Sequence, residues 1–179
     1  MSFEKVLHFW FEEIESKFWF VKDLAFDQEI KKRFFNLHQQ ATCGELFDWR
    51  SSAEGRLAEI ILLDQFSRNM FRDQPEAFAS DSLALVLAQE AVRFKEDQKL
   101  DIKKRSFLYM PYMHSESKLI HERAVRLFSI PGLEGNLKFE LLHKNIIDRF
   151  GRYPHRNAVL GRASTSEEEA FLLELGSHF

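Results

Sequence analysis

The side chains best suited to acid–base chemistry lie in three separate segments of the chain. A histidine titrates near neutral pH and a carboxylate beside it can orient the ring, so a pair of this kind is a common general base in hydrolases. Two histidines and two carboxylates are the candidate catalytic residues: Asp64, His114, Glu116 and His143. Cys43 lies outside these segments and no Gly-x-Ser-x-Gly motif occurs, so the sequence indicates no nucleophile.

Asp64 and Arg68 stand one turn apart on a predicted helix that begins near Ser52. Helical periodicity places Asp64 on the apolar arc, where an ionised carboxylate needs a partner, and Arg68 at the i+4 position can supply one. The pair is either a structural ion pair or one wall of a pocket in which Arg68 and Asn69 donate to a ligand. We interpret Arg72, one turn further on, as a solvated surface charge.

Glu116 and His143 are each open to two interpretations. Glu116 follows His114 at the start of a predicted helix, where the helix dipole alone favours an acidic residue, but it also shares a face with Leu119. In the functional interpretation His114 and Glu116 form an acid–base or ligand-binding pair. His143 falls inside the apolar arc of its helix, either as a core histidine or as a ligand, and Asp64 or Glu116 are its expected hydrogen-bond partners.

A basic turn follows the helix that ends near Phe150. Gly151 and Pro154 interrupt the helical pattern there, and several arginines surround them. Guanidinium groups close to a turn suit a carboxylate or a phosphate, whereas in the alternative interpretation Arg156 and Asn157 hold the carbonyl groups of neighbouring helix ends. We call residues 63–72, 111–116 and 150–157 the three polar motifs. They supply the candidate ligand-binding residues, namely Asp64, Arg68, Asn69, His114, Glu116, Arg152, His155, Arg156 and Asn157.

The sequence predicts no cofactor and no metal. Cys43, a single cysteine, excludes an intramolecular disulfide and a cysteine-cluster zinc site, and no His-Glu-x-x-His motif is present. The four candidate catalytic residues could hold a metal only if folding brought all of them together, and their spacing does not indicate that it does.

The hydrophobic pattern is helical along almost the whole chain. Seven Gly and four Pro leave few breaks, and no strand-like alternation stands out. We therefore predict a single all-α domain over residues 1–179, with eight or nine helices. Capping residues and prolines set the expected limits: helices from Ser2, from Asp27 to Gln40, from Ser52, from Asp81, from Asp101 to Pro111, from Ser115, from Asn136 to Phe150, and from Thr165 with Leu175 in its apolar stripe.

Composition restricts the class of protein. Of 179 residues 45% are apolar and 30% charged, which is typical of a folded domain rather than a disordered one. A net charge of −3 argues against a duplex nucleic-acid partner. No apolar run approaches the length of a membrane span and the N-terminus lacks a secretory pattern, so we expect no membrane partner and a soluble cytoplasmic protein.

Phenylalanine is unusually frequent, with 19 residues, and predicts a large aromatic core. Helical spacing places in that core Phe9, Phe11, Phe66, Phe94, Phe128, Phe139, Phe150 and Phe171. Three further rings lie inside the polar segments, and we expect them to form the apolar wall of any pocket: Phe71, Tyr112 and Tyr153.

Four segments resemble the bacterial family called domain of unknown function 924. They read LDQFSRNMFR (63–72), PYMHSE (111–116), FGRYPHRN (150–157) and STSEE (164–168), the last similar to the family's Ser-Thr-Pro-Glu-Glu. The resemblance implies antiparallel helix hairpins stacked in a tetratricopeptide-like superhelix, and an Ala-Val-Arg triplet that recurs at 91–93 and 124–126 agrees with it. It implies no established activity, but the polar character of the matching positions favours a pocket.

Three functions remain open at this point. A binding module would hold a small anionic molecule or a peptide carboxylate in a pocket formed by the three polar motifs. A small hydrolase would use a histidine–carboxylate pair, with the arginines stabilising negative charge. A protein-interaction scaffold would use the same motifs only to lock its helices together. The sequence indicates no oligomeric state, and the meeting of the three motifs in space would favour the first two functions.

Overall fold

The computed structural model describes residues 2–174, which form eight helices and no strand. The helices are α1 over Phe3–His8 with a π-helical extension Phe9–Glu13, α2 over Leu24–Thr42, α3 over Ala53–Ile61 with a π-helical turn Leu62–Phe66 and an end over Ser67–Met70, α4 over Asp81–Arg93, α5 over Ile102–Met113, α6 over Lys118–Phe128, α7 over Glu134–Phe150 and α8 over Ser166–Leu172. The predicted all-α class is confirmed. Met1 and residues 175–179, with Leu175 among them, lie outside the described residues.

Successive helices are neighbours in space, since each helix from α2 to α6 packs against the next one. Short connections, several of them single 3-10 turns, join these neighbours. The superhelical stacking and the single domain over the full chain stay predictions. No helix within residues 2–174 is long and apolar enough to cross a membrane.

Side-chain caps begin several helices where the sequence predicts them. The Ser52 hydroxyl accepts the Gly55 N–H at 3.0 Å, and the Asp101 carboxylate accepts the Lys104 N–H at 2.9 Å. Thr165 and Glu168 form the reciprocal capping box at the start of α8. These caps accept hydrogen bonds from amide groups that have no partner inside the helix. Because only a few residue types can do so, such caps can be predicted from the sequence.

Other predicted helix starts were wrong by one to three residues. Asp81 occupies the first turn of α4 rather than its N-cap, which is Ser80. Helix α6 begins at Lys118 rather than at Ser115. Helix α7 already begins at Glu134, ahead of Asn136, and α2 begins at Leu24, ahead of Asp27. Any polar residue near a helix start resembles a cap in sequence, and only the backbone shows which one it is.

Pro111 does not end its helix, and that prediction was wrong. Helix α5 continues to Met113, although proline removes one intrahelical hydrogen bond and crowds the preceding turn. Every residue from Ser106 to Met113 is buried. The apolar burial of this last turn outweighs the local cost of the proline, and it carries the chain on to His114.

The core is aromatic, as predicted, but it does not contain every expected ring. Phe9, Phe66 and Phe128 are fully buried, and the Phe9 and Phe66 rings lie 6.0 Å apart. Phe94 and Phe139 are both 57% exposed, so their predicted burial was wrong. The other three predicted core rings are half-buried: Phe11, Phe150 and Phe171.

The two errors have separate causes. Phe94 ends α4, where the Arg56 and Arg93 guanidinium groups lie against its ring at 6.0 Å and 5.7 Å. Helix α7 turns a different face inward from the one that its apolar residues suggest, because Glu140 and His143 are buried while Phe139 points outward. Glu140 Oε1 lies 2.7 Å from His121 Nδ1 of α6, so a buried polar contact between α6 and α7 accompanies this orientation.

The π-helical turn in α3 changes what its helix presents to the interior. A π-turn adds one residue to the helical repeat and shifts the side chains that follow it, and such turns are frequent at functional sites. All five residues of Leu62–Phe66 are buried, including Asp64 and Gln65. The turn thus places a carboxylate at the centre of the fold.

Candidate functional site

Five polar side chains form one continuous set of contacts, which we call the His114–Arg156 cluster: Asp64, Arg68, Asp81, His114 and Arg156. The His114 Nδ1 lies 2.7 Å from Asp64 Oδ1, and Arg68 Nη1 lies 3.3 Å from the same oxygen. Arg68 also holds both oxygens of Asp81, at 2.9 Å and 3.0 Å. Arg156 Nη1 completes the set at 3.2 Å from Asp81 Oδ2.

Residues from all three polar motifs meet in this cluster. Asp64 and Arg68 come from α3, His114 ends α5, and Arg156 comes from the turn after α7. The predicted ion pair between Asp64 and Arg68 is confirmed. Arg68 Nη1 also donates to the Asp64 carbonyl at 2.7 Å, which fixes the arginine against its own helix.

Asp81 belongs to the cluster although the sequence did not predict it as a site residue. It lies in the first turn of α4, where an acidic residue is explained by the helix dipole alone. One indication that a further carboxylate belongs here was present in the sequence, because the guanidinium fork of Arg68 can hold a second carboxylate besides Asp64. Which carboxylate that would be depends on how α4 packs on α3.

Electrostatics leave Asp64 ionised and His114 neutral near neutral pH. Burial alone would raise the pKa of Asp64, but the facing His114 and Arg68 outweigh it and hold that pKa well below its ordinary value. Burial, aided by the Arg68 charge, lowers the pKa of His114 below 6.5. The ionised carboxylate can only accept, so Nδ1 of His114 carries the ring proton and donates it to Asp64.

This tautomer gives His114 a free acceptor. In a neutral imidazole with a protonated Nδ1, the Nε2 atom carries a lone pair. No residue between positions 2 and 174 makes a hydrogen bond to that Nε2. The side chain is 15% exposed, so Nε2 can meet a molecule from outside.

Arg156 is a buried cation with too few acceptors. Its guanidinium carbon lies 4.6 Å from the Phe78 ring centre and 4.4 Å from that of Tyr153, so two aromatic faces enclose it. The residue is 6% exposed, and its Nε has no hydrogen-bond partner in the described part of the chain. Burial, with the nearby Arg68 charge, lowers the pKa of Arg156. A bound anion at this position would accept a hydrogen bond from Nε and would compensate the buried positive charge.

Aromatic and histidine rings surround this arginine. The Tyr153 hydroxyl donates to the Met113 carbonyl at 2.5 Å, and the ring lies 5.7 Å from His143 and 5.5 Å from His155. His143 Nδ1 lies 2.8 Å from its own-helix Phe139 carbonyl, and burial lowers its pKa to about 3. Tyr153 thus lines the cluster, as expected of it.

The other two rings expected in the pocket wall lie elsewhere. Phe71 packs against His38, with ring centres 5.3 Å apart. Tyr112 is buried near Asp97 and Arg123 rather than near the cluster, and burial raises its pKa to about 12. The three rings therefore do not form one wall, because proximity to a polar motif in sequence does not set the direction of a side chain.

Five other polar side chains form a second set, which we call the Glu116–Glu168 cluster: Glu116, Arg152, Asn157, Arg162 and Glu168. Arg162 donates to both oxygens of Glu116, at 2.6 Å and 2.9 Å, and the Tyr153 N–H donates to it at 2.7 Å. Arg152 holds both oxygens of Glu168, at 2.6 Å and 2.7 Å. Arg162 also donates to Asn157 Oδ1 at 3.0 Å. These contacts brace the turn between α7 and α8.

Asn69 and Arg72 serve a third set of contacts that ties α3 to α2. Arg72 holds both oxygens of Asp27, at 2.6 Å and 2.7 Å, and Asn69 donates to Asp27 at 2.8 Å. The prediction of Arg72 as a solvated surface charge was wrong. A free arginine and a bridging arginine look alike in sequence, and the partner carboxylate lies 45 residues earlier in the chain.

The four candidate catalytic residues do not converge on one point. Glu116 belongs to the Glu116–Glu168 cluster, whereas Asp64 and His114 form a pair in the His114–Arg156 cluster. No group of three or more His, Cys, Asp or Glu side chains within residues 2–174 is placed to hold a metal ion. Only the histidine–carboxylate pair has the geometry that acid–base chemistry needs.

Comparisons with known proteins found one matching family model and a similar solved structure. A family model described as a bacterial protein of unknown function (DUF924) matches residues 6–176. A solved structure of a protein of unknown function from Agrobacterium tumefaciens is 38% identical, covers 96% of both chains and superposes with a TM-score of 0.91. No curated protein matches this chain.

Proposed function

This chain belongs to the DUF924 family of bacterial proteins of unknown function, and from that premise we propose that the His114–Arg156 cluster binds a small anionic ligand. The ligand carries a carboxylate or a phosphate. The observation that carries the proposal is the buried Arg156 guanidinium, which Asp81 satisfies only in part. A native fold seldom leaves such a group without acceptors unless something else supplies them.

Directional donors, rather than net charge, would hold this ligand. The formal charges of Arg68 and Arg156 balance those of Asp64 and Asp81, and His114 is neutral. A long-range field is therefore weak, and affinity depends on charge-assisted hydrogen bonds from Arg156. The free lone pair on His114 Nε2 adds an acceptor, which suits an anion that also carries a hydroxyl or an N–H group.

Calorimetric titration with three probes tests this binding: inorganic phosphate, malate and an acidic dipeptide. We expect at least one to bind, and Arg156→Gln to weaken it by about tenfold or more, because a charge-assisted hydrogen bond is lost. Arg149→Gln is the matched control, since Arg149 lies on the same basic segment but pairs with the exposed Glu167 at 2.9 Å. Failure of all three probes, or equal losses in both variants, contradicts the proposal.

A second candidate function is hydrolysis with His114 as the general base, and the Asp64–His114 contact favours it. Asp64 holds Nδ1 at 2.7 Å and leaves Nε2 to accept a proton, which is the orientation that general-base histidines need. Arg156 would then stabilise negative charge on the substrate. Cys43, an exposed residue of another region, takes no part.

A panel of chromogenic carboxylic and phosphoric esters tests this second function. Any activity that depends on the pair should fall on the order of a hundredfold in His114→Gln and in Asp64→Asn. The base works only when neutral, and burial lowers the pKa of His114, so activity should persist below pH 6.5. His8→Gln is the control, because His8 pairs with Glu12 on the surface. Activity that survives His114→Gln rules out this mechanism.

A further inference from the structure

A cleft of about 530 Å³ lies outside both polar clusters, between the end of α4, the 3-10 turn after it, α5 and α6. Its volume is typical of small-molecule sites. The residues that matter for its chemistry are Val92, Asp97, Arg105, Arg126, Leu127 and Ile130. None of the three polar motifs contributes to it, so it has no part in the function proposed above.

Arg105 presents a rigid, unpaired guanidinium group at this cleft. Its Nε donates to the Asp97 carbonyl at 2.8 Å, and its Nη2 lies 3.4 Å from the Leu100 carbonyl. These neutral acceptors orient the group without cancelling its charge. Within the described residues Arg105 has no carboxylate partner, unlike Arg68, whose fork holds one.

Arg126 adds a second unpaired guanidinium group from α6. It is exposed, and no hydrogen bond or ion pair to it occurs within residues 2–174. Two cations in one cleft repel each other, and the Asp97 carboxylate in the same lining offsets only one of the two charges, so a bound anion between them or close by is favoured. Since arginine forks match carboxylate geometry, this arrangement points to an organic anion.

Asp97 limits the charge of that anion. The residue is 5% exposed, one of its oxygens accepts the Tyr109 hydroxyl at 2.6 Å, and the other has no partner among the described residues. The two arginines and this carboxylate leave a net charge of one positive unit, which matches a monoanion better than a dianion.

The rest of the cleft wall is apolar, and it favours a ligand with a hydrocarbon part. Val92, Leu127 and Ile130 are half-buried and line the same cleft as the arginines. We propose that this cleft binds a small monocarboxylate with an apolar, branched hydrocarbon body. The two arginines hold the carboxylate, the apolar wall takes the hydrocarbon, and Asp97 disfavours a second negative charge.

Isocaproate is a direct probe, and chemical-shift titration of the isotope-labelled full chain measures its binding. Isoamylamine has the same hydrocarbon body with the opposite charge, and glutarate is a dicarboxylate. We expect isocaproate to shift amide signals of the cleft residues and to bind at least about tenfold more tightly than either of the other two compounds.

Two matched variants on α6 separate the site from general charge effects. Arg126→Gln should weaken isocaproate binding by about tenfold, because it removes a charge-assisted contact. Arg123→Gln removes an exposed arginine of the same helix that does not line the cleft, and it should leave affinity within about twofold. Both positions are exposed, so both variants should fold.

The proposal is overturned if isocaproate shifts no cleft signal, if isoamylamine binds as tightly, or if the two variants behave alike. Failure here is distinct from failure at the His114–Arg156 cluster. Arg156→Gln should leave isocaproate affinity unchanged, because Arg156 lies on the turn after α7 and lines no part of this cleft.

Discussion

The His114–Arg156 cluster and the Glu116–Glu168 cluster each contain two arginines and two carboxylates, but they differ in how completely their hydrogen bonds are satisfied. Glu116 accepts two bonds from Arg162 and one from a backbone N–H. Glu168 accepts the whole Arg152 fork and caps α8. In the other cluster Arg156 has one weak contact to a carboxylate that Arg68 already holds.

The comparison shows that residue type alone does not identify a site. Polar motifs brace a fold when every donor and acceptor is used within the chain, and they can bind a partner when some are left over. In the Glu116–Glu168 cluster a substitution should lower the stability of the fold and leave ligand binding intact. At Arg156, the under-satisfied member of the His114–Arg156 cluster, it should cost binding and leave stability nearly intact.

The largest expected effect on stability is that of Glu116→Gln in the Glu116–Glu168 cluster. The change keeps the shape of the side chain but removes the charge that three donors share, and it leaves the half-buried Arg162 without its carboxylate partner, with only the neutral Asn157 and Tyr153 oxygens to accept from it. Breaking such a pair should lower the free energy of unfolding by about 2–3 kcal/mol. Urea denaturation measures it.

Glu167→Gln is the control for that loss. Glu167 also pairs with an arginine, Arg149, but its side chain is 65% exposed. Exposed pairs contribute little, so we expect a change within about 0.5 kcal/mol. If Glu116→Gln is as mild as this control, then the Glu116–Glu168 cluster is not a brace and the comparison fails.

Local spacing made one half of the His114–Arg156 cluster predictable. Asp64 and Arg68 are one turn apart, and a buried carboxylate one turn from an arginine is a local relation that survives the π-helical turn in which Asp64 lies. The capping box of α8 is local in the same sense. The all-helical class followed from periodicity, which also needs no tertiary information.

The other half could not be predicted, because its contacts are long-range. His114 lies 50 residues from Asp64, and Arg156 lies 75 residues from Asp81. Which carboxylate an arginine meets depends on helix packing, and so Arg72 was mistaken for a free surface charge and Asp81 for a cap. Pro111 was misread for the same reason, since burial outweighed its local preference.

A smaller effect should appear in the pH dependence of stability through His143. Burial lowers the folded-state pKa of this residue from 6.5 to about 3, so the neutral form is favoured in the fold. Its contribution is fully present above pH 6.5 and is lost as the pH falls toward 3. In that window the free energy of unfolding should fall by roughly 1 kcal/mol per pH unit on account of this group.

His143→Gln tests that slope, because glutamine does not titrate. Urea denaturation between about pH 7 and pH 5 should give a shallower pH dependence in the variant than in the wild type. Parallel curves for the wild type and His143→Gln would show that His143 does not titrate with a depressed pKa.

The smallest expected change in stability distinguishes the two clusters most directly. Arg156→Met replaces an under-satisfied buried cation with an apolar side chain, and Asp81 keeps Arg68 as its partner. Such replacements are often neutral or stabilising, so the free energy of unfolding should stay within about 1 kcal/mol of the wild type. The same change at Arg162, which bridges Glu116 and Asn157, should cost about 2 kcal/mol or more. Equal losses at both positions would mean that Arg156 is a brace as well, and ligand binding at the His114–Arg156 cluster would lose its main support.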